Sequence, residues 1–129
     1  MKIHVTNAMD ADGKSREVCV ENGVIVNELS NNDDVKVING KGLTVLPGLV
    51  DLHTHLREPG REDAETVLTG SRAAVAGGYT AISAMPNTLP VADTAGVVEQ
   101  VFRLGKLHGL CDVFPIGAVT IGQEGKHLA

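Results

Sequence analysis

His53 and His55 stand two residues apart at the end of the run Pro47-Gly48-Leu49-Val50-Asp51-Leu52-His53-Thr54-His55-Leu56-Arg57. In an extended strand, side chains alternate between faces. Asp51, His53, His55 and Arg57 are therefore expected to share one face, and Val50, Leu52, Thr54 and Leu56 to turn toward packing. Two imidazoles flanked by a carboxylate and a guanidinium suit a metal ion beside an anionic ligand. Neutral imidazole is a common metal ligand, and guanidinium is a permanently charged, fork-shaped donor that matches a carboxylate.

The elements that must carry these residues follow from the rhythm of the chain, which changes near residue 46. Residues 1–46 carry short β signals at Lys2–Thr6, Glu17–Glu21, Val24–Glu28, Val35–Asn39 and Leu43–Leu46. Asn22-Gly23 between two of them is a hairpin signal, because both central residues must accept positive φ. Asp12-Gly13 and Asn39-Gly40 mark further turns. Such a segment reads as part of a sandwich or small barrel, not a complete one.

Residues 47–129 alternate strand and helix. The pattern predicts strands at Leu49–Leu56, Thr80–Met85 and Val113–Thr120, with helices at Ala64–Ala76 and about Thr94–Leu107. In the first helix Ala64, Val67, Leu68, Ser71 and Val75 form the inward stripe, Glu62, Asp63 and Glu65 sit at the favourable N-terminal end, and Gly77-Gly78 ends it. In the second, Asp93 or Thr94 serves as cap, Val97, Val98, Val101 and Leu104 face inward, and Glu99 with Arg103 forms an i, i+4 pair. Repeated β-α units with apolar strands indicate an α/β fold with a parallel sheet covered by helices. The first two strands end in His-x-His-x-Arg and in Met85-Pro86-Asn87-Thr88, the strand ends at which α/β proteins build sites. Three strands and two helices fall short of a (β/α)8 barrel, which takes about 250 residues. The chain therefore reads as the N-terminal part of a larger protein, or as a truncated product.

Composition narrows the partners. With 11 basic and 16 acidic residues the net charge is −5, and no basic cluster is present to meet nucleic-acid phosphates or an anionic membrane. No apolar run approaches the roughly 20 residues of a membrane helix, and the N-terminus lacks the apolar block of a signal peptide. Cys19 and Cys111 are isolated within strand-like runs and are expected as buried free thiols. A cytoplasmic protein is the expectation. His4, His108 and His127 carry no assigned role, and the glycines of residues 117–125 lack the continuation of a phosphate loop.

The run Pro47–His55 resembles the opening of the amidohydrolase superfamily. With the continuation His55-Leu56-Arg57-Glu58-Pro59-Gly60, then Ala76-Gly77-Gly78-Tyr79-Thr80 and Met85-Pro86-Asn87-Thr88, it is similar to dihydroorotases of the longer bacterial type. The resemblance is tight over residues 43–94 and covers about the first third of such an enzyme. It implies a metal-dependent hydrolase barrel of the TIM type, begun by residues 47–129 and preceded in 1–46 by part of an accessory β-sandwich. The implied reaction is the reversible cyclisation of N-carbamoyl-L-aspartate to dihydroorotate in pyrimidine biosynthesis.

In that resemblance His53 and His55 are ligands of zinc, present as one or two ions, and Arg57 and Asn87 bind the substrate carboxylate. The general base and remaining ligands come from later strands, so no catalytic residue is assigned within this chain and the 129 residues alone are expected to be inactive. Asp51 is either a support for a ligand histidine or a structural residue at the strand start, Asn87 has a plain turn role as its alternative, and Glu58 is expected in solvent. The implied partners are the small-molecule substrate, further copies of the chain in a homo-oligomer, and aspartate transcarbamoylase. The alternatives are another cyclic amidohydrolase, of the allantoinase or hydantoinase kind, and a non-catalytic relative that serves aspartate transcarbamoylase as a partner. Retention of His53, His55, Arg57 and Asn87 together argues against the non-catalytic reading.

Overall fold

In the computed structural model, which describes all 129 residues, the chain separates into two units, Met1–Pro47 and Gly48–Ala129, each built on its own sheet. The first holds β1 (Lys2–Met9), β2 (Ser15–Glu21), β3 (Val24–Val26) and β4 (Val35–Asn39), in the spatial order β3-β2-β1-β4. β1 runs antiparallel to β2 and parallel to β4. The Asn22-Gly23 turn joins β2 to β3 with φ of 51° and 81°, as a tight hairpin requires.

β1 extends three residues beyond its expected end at Thr6. An irregularity between Val5 and Ala8, with Asn7 at φ 58°, lets pairing to β2 resume at Ala8 and Met9. The expected fifth strand, Leu43–Leu46, is not one. After a turn closed by Leu43 N–H on the Gly40 carbonyl (2.8 Å), only Thr44 bridges to Met9, so the segment lacks the consecutive rungs of a strand. At the far end of this unit Ser30 donates to Glu21 through its hydroxyl (2.6 Å) and its backbone N–H (3.1 Å). These bonds hold the Glu21 carboxyl below its ordinary pKa.

The second unit alternates β5 (Leu49–Thr54), α1 (Val67–Ala76), β6 (Tyr79–Ala84), α2 (Ala95–His108) and β7 (Asp112–Pro115). A 3-10 turn follows at Ile121–Gln123. The three strands form a parallel sheet in the order β5-β6-β7. Its core is Ile82, Ala84 and Val113 from the sheet, Val67 and Val101 from the helices, and Leu56 from just beyond β5. Burying an aliphatic side chain of this size is worth about 1.5–3 kcal/mol. The opposite side of the sheet is open, with Val50 at 59%, Leu52 at 72% and Phe114 at 50% exposure.

Several sequence-based expectations are corrected here. α1 begins at Val67 rather than Ala64, with Thr66 as N-cap and a Thr66–Thr69 capping box. Glu62, Asp63 and Glu65 therefore precede the helix instead of occupying its first turn. Val75 is 45% exposed and lies outside the buried stripe, which consists of Val67 and Ser71. The end of α1 is as expected, with Gly77 as C-cap and Gly78 in the left-handed region. β7 stops at Pro115, after a last rung from the Ile116 N–H to the Ala84 carbonyl at 2.9 Å. Thr94 occupies the N-cap of α2 without a side-chain bond, while Asp93 accepts the Gly122 N–H at 2.7 Å.

Two other expectations hold, for an ion pair and for the cysteines. Glu99 and Arg103 pair at 2.7 Å. Cys19 and Cys111 are free thiols, half-buried rather than fully buried. Desolvation pushes the Cys111 thiol above its ordinary pKa, with the neighbouring Asp112 charge adding to it. No helix is long and apolar enough to cross a membrane.

Gly105 shows how tightly α2 lies on the sheet: a Cβ there would sit 2.6 Å from Val113 Cβ, whereas one on Gly96 meets nothing within 4 Å. Alanine favours an α-helix over glycine by about 1 kcal/mol, but overpacking a core costs about 1–3 kcal/mol. In urea unfolding, Gly105→Ala is expected to lower the midpoint and Gly96→Ala to leave it level or raise it. A raised midpoint for Gly105→Ala would show that α2 does not rest on β7 in this way.

Candidate functional site at the ends of β5 and β6

The site begins with a bulge. Asp51 pairs with Ile82 and Thr54 with Ala84, so β5 spends three steps where β6 spends two. The Asp51 carboxylate accepts the backbone N–H of His53 at 2.9 Å, supplying a local partner within the bulge. Such an insertion re-aims the side chains around it. This overturns the one-face expectation for the run: Val50 and Leu52 lie on the open side rather than packed, and only Thr54 and Leu56 of that set turn inward. It also gives Asp51 a role on the backbone of His53, not on an imidazole ring.

Pairing resumes firmly at the strand ends. Thr54 donates its hydroxyl to the Ser83 carbonyl at 2.8 Å, and Met85 N–H donates to the Thr54 carbonyl at 2.8 Å. On either side of Thr54, His53 and His55 stand edge to face, with ring centroids 5.1 Å apart and planes at 64°. Asn87, on the segment after β6, meets His55, its Oδ1 lying 2.8 Å from Nδ1. Three of the four residues singled out by the motifs are thus brought together, across 32 positions of sequence in the case of His55 and Asn87.

Arg57 follows directly after the buried Leu56, in the left-handed region at φ 62°. For a non-glycine residue this costs about 1–2 kcal/mol, and the flanking bonds hold it there. Glu58 N–H donates to the Leu56 carbonyl at 2.8 Å, and Arg61 N–H to the Arg57 carbonyl at 3.0 Å. Arg57 is half-buried as a residue, and its guanidinium makes no hydrogen bond or ion pair within the chain, so its donors are available.

Glu58 is the residue that sequence reading placed wrongly. Its carboxylate accepts the Val67 N–H at 2.8 Å, the first turn of α1, where unpaired donors and the helix dipole both favour an anion. No local pattern announces a bond across nine residues. On the other side of the same loop, Leu89 N–H donates to the Pro59 carbonyl at 2.9 Å. Gly60 lies so close that a Cβ would fall 2.0 Å from the Leu89 oxygen. The loop bearing Arg57 is therefore fastened both to α1 and to the loop bearing Asn87.

As a donor set, the His53 and His55 imidazoles fit two positions of a nitrogen-rich metal site. Nowhere in the chain do three or more His, Cys, Asp or Glu side chains cluster as a complete metal cage.

The dihydro-orotase-like family profile matches residues 42–129, more than half of the chain. The chain belongs to the dihydro-orotase-like family. Among curated relatives, the dihydroorotase of Streptomyces coelicolor is 56% identical over 131 residues, covering 99% of this chain and 30% of the relative. That of Leifsonia xyli subsp. xyli is 56% identical over 127 residues, covering 97% and 29%. That of Mycobacterium tuberculosis is 51% identical over 120 residues, covering 91% and 28%. The chain thus spans about 30% of the length of the dihydroorotases it matches.

Removal of the Glu58 cap is expected to weaken the unit. Side-chain caps contribute about 0.5–2 kcal/mol, so Glu58→Ala should lower the urea midpoint by that equivalent, and Glu58→Gln, which keeps an acceptor, by less. Equal midpoints for wild type and Glu58→Ala would show that the carboxylate is not bound to α1.

Proposed function

We propose that this sequence forms the opening of a zinc-dependent dihydroorotase, an enzyme that reversibly cyclises N-carbamoyl-L-aspartate to dihydroorotate in pyrimidine biosynthesis. The observation that carries the reading is the meeting of His53, His55 and Asn87 at the C-terminal ends of two adjacent parallel strands, with Arg57 two residues on. This is where β/α barrels hold their reacting groups. Gly48–Ala129 then forms the first part of a (β/α)8 barrel, and Met1–Pro47 part of an accessory β-sandwich.

Each residue has a distinct task. His53 and His55 supply two neutral nitrogen ligands. A zinc ion held there would supply Lewis-acid polarisation of the scissile carbonyl and a water acidified to a pKa of about 7. Arg57 grips the substrate carboxylate through two parallel N–H donors, and the Asn87 amide nitrogen adds a neutral donor beside it. Together they fix the distance from the carboxylate to the ring amide, so that the carbonyl meets the metal side of the site in one orientation. The general base and remaining ligands belong to parts of the enzyme outside these 129 residues, which by themselves are expected to give no turnover. The reading also implies a cytoplasmic homo-oligomer, with aspartate transcarbamoylase as a candidate partner.

The test uses the full-length enzyme with dihydroorotate, allantoin and hydantoin as substrates. Turnover of dihydroorotate is expected. His53→Ala should abolish it and lower bound zinc. Arg57→Ala should raise KM about 10- to 100-fold, the equivalent of losing charge-assisted bonds worth about 1.5–3 kcal/mol. Full activity in His53→Ala, or turnover of allantoin or hydantoin but not dihydroorotate, would contradict the assignment.

A further inference from the structure

The bond between His55 and Asn87 carries more information than proximity. An amide oxygen accepts hydrogen bonds and never donates them. With Asn87 Oδ1 2.8 Å from His55 Nδ1, the proton must sit on Nδ1. A neutral imidazole has one N–H, so Nε2 is left with its lone pair exposed.

Asn87 is itself held in place. Its neighbours Pro86 and Thr88 are buried. The Thr88 hydroxyl donates to the Pro90 carbonyl at 2.7 Å, Ala92 N–H to the Pro86 carbonyl at 3.0 Å, and Leu89 N–H to the Pro59 carbonyl at 2.9 Å. An acceptor mounted this firmly sets both the tautomer and the rotation of the ring it meets. The other end of the amide is uncommitted: Nδ2 has no partner within the chain, and its two N–H groups are available to a ligand.

We propose that Asn87 is a positioning residue that locks His55 as the Nδ1–H tautomer, presents Nε2 to the metal, and links that ligand to the substrate carboxylate through one amide group. The tautomer lock stands on the geometry of this chain alone. The link to a carboxylate rests on the dihydroorotase reading above. Substrate bound at Nδ2 polarises the amide and strengthens the bond from its oxygen to His55, so the carboxylate subsite and the metal ligand act on each other.

Three substitutions in the full-length protein separate the parts. Asn87→Asp keeps an oxygen for His55 but sets a negative charge against the substrate carboxylate. Asn87→Leu removes the acceptor at similar volume, and Asn87→Ala removes it without bulk. In the zinc-free protein, 15N correlation spectra of the histidine rings are expected to report Nδ1–H at His55 in wild type and Asn87→Asp, and a shift toward Nε2–H in the other two. Zinc affinity, measured by competition with a chromophoric chelator, should fall about 10- to 100-fold in Asn87→Leu and Asn87→Ala and stay within a few-fold in Asn87→Asp. Asn87→Asp should instead raise the KM for dihydroorotate more than tenfold at unchanged zinc content.

Wild-type ring spectra and zinc affinity in both Asn87→Leu and Asn87→Ala would overturn the lock. A loss of zinc affinity in Asn87→Asp equal to that of Asn87→Leu would overturn it as well. Normal zinc binding and normal KM in Asn87→Asp would overturn the link to the carboxylate while leaving the lock standing. Absence of dihydroorotate turnover in the wild type would count against the functional reading alone, because ring spectra and zinc affinity do not depend on the substrate.

Discussion

The parallel pairing of β5 with β6 is the constraint from which the site follows. Thr54 sits opposite Ala84, and the Met85 N–H closes one more rung onto the Thr54 carbonyl at 2.8 Å. Parallel strands end on the same edge, so whatever follows Thr54 and whatever follows Ala84 must emerge side by side. Beyond that rung the two segments are free of the ladder, and their first polar side chains, His55 and Asn87, meet. The α1 crossover makes this possible, since a parallel pair needs a connection of a dozen or more residues. Glu58 anchors the near end of that crossover by binding Val67 N–H. A structural carboxylate thus follows immediately after the arginine proposed to bind substrate.

The sheet that supports this edge is covered on one side. Val67, Val101 and the inward residues of β6 and β7 form its core, with Gly105 allowing α2 to close onto Val113. On the other side Val50, Leu52 and Phe114 remain accessible. Both outer strands, β5 and β7, also have an unpaired edge. Parallel sheets are normally covered on both faces. In the proposed barrel, further strands would take up both edges and the open face would become the interior.

Much of this was legible in the residue pattern, for identifiable reasons. Near-continuous apolar strands alternating with helical stripes specify parallel β-α units; Gly78 marks one of their turns, and Asn22-Gly23 the hairpin of the first sheet, through backbone conformations few other residues adopt. Glu99–Arg103 follows from helical spacing alone. What escaped was everything set by contacts between distant segments. Strict alternation through residues 49–57 presumed an unbroken strand, but the Asp51 carboxylate captures the His53 N–H and shifts the register. Glu58 looked solvated because its partner is nine residues away, at a helix start that local pattern placed three residues too early. Leu43–Leu46 has strand-like composition but only a single bridging residue. The motifs picked out His55 and Asn87 separately, and only the strand pairing joins them.

The most direct test of the account is anomalous diffraction at the zinc edge from crystals of the zinc-loaded full-length protein. The account predicts an anomalous peak in contact with both the His53 and His55 rings, with His55 bound through Nε2 while its Nδ1 stays on Asn87 Oδ1. A peak away from this pair, or His55 bound through Nδ1 with Asn87 displaced, would contradict it.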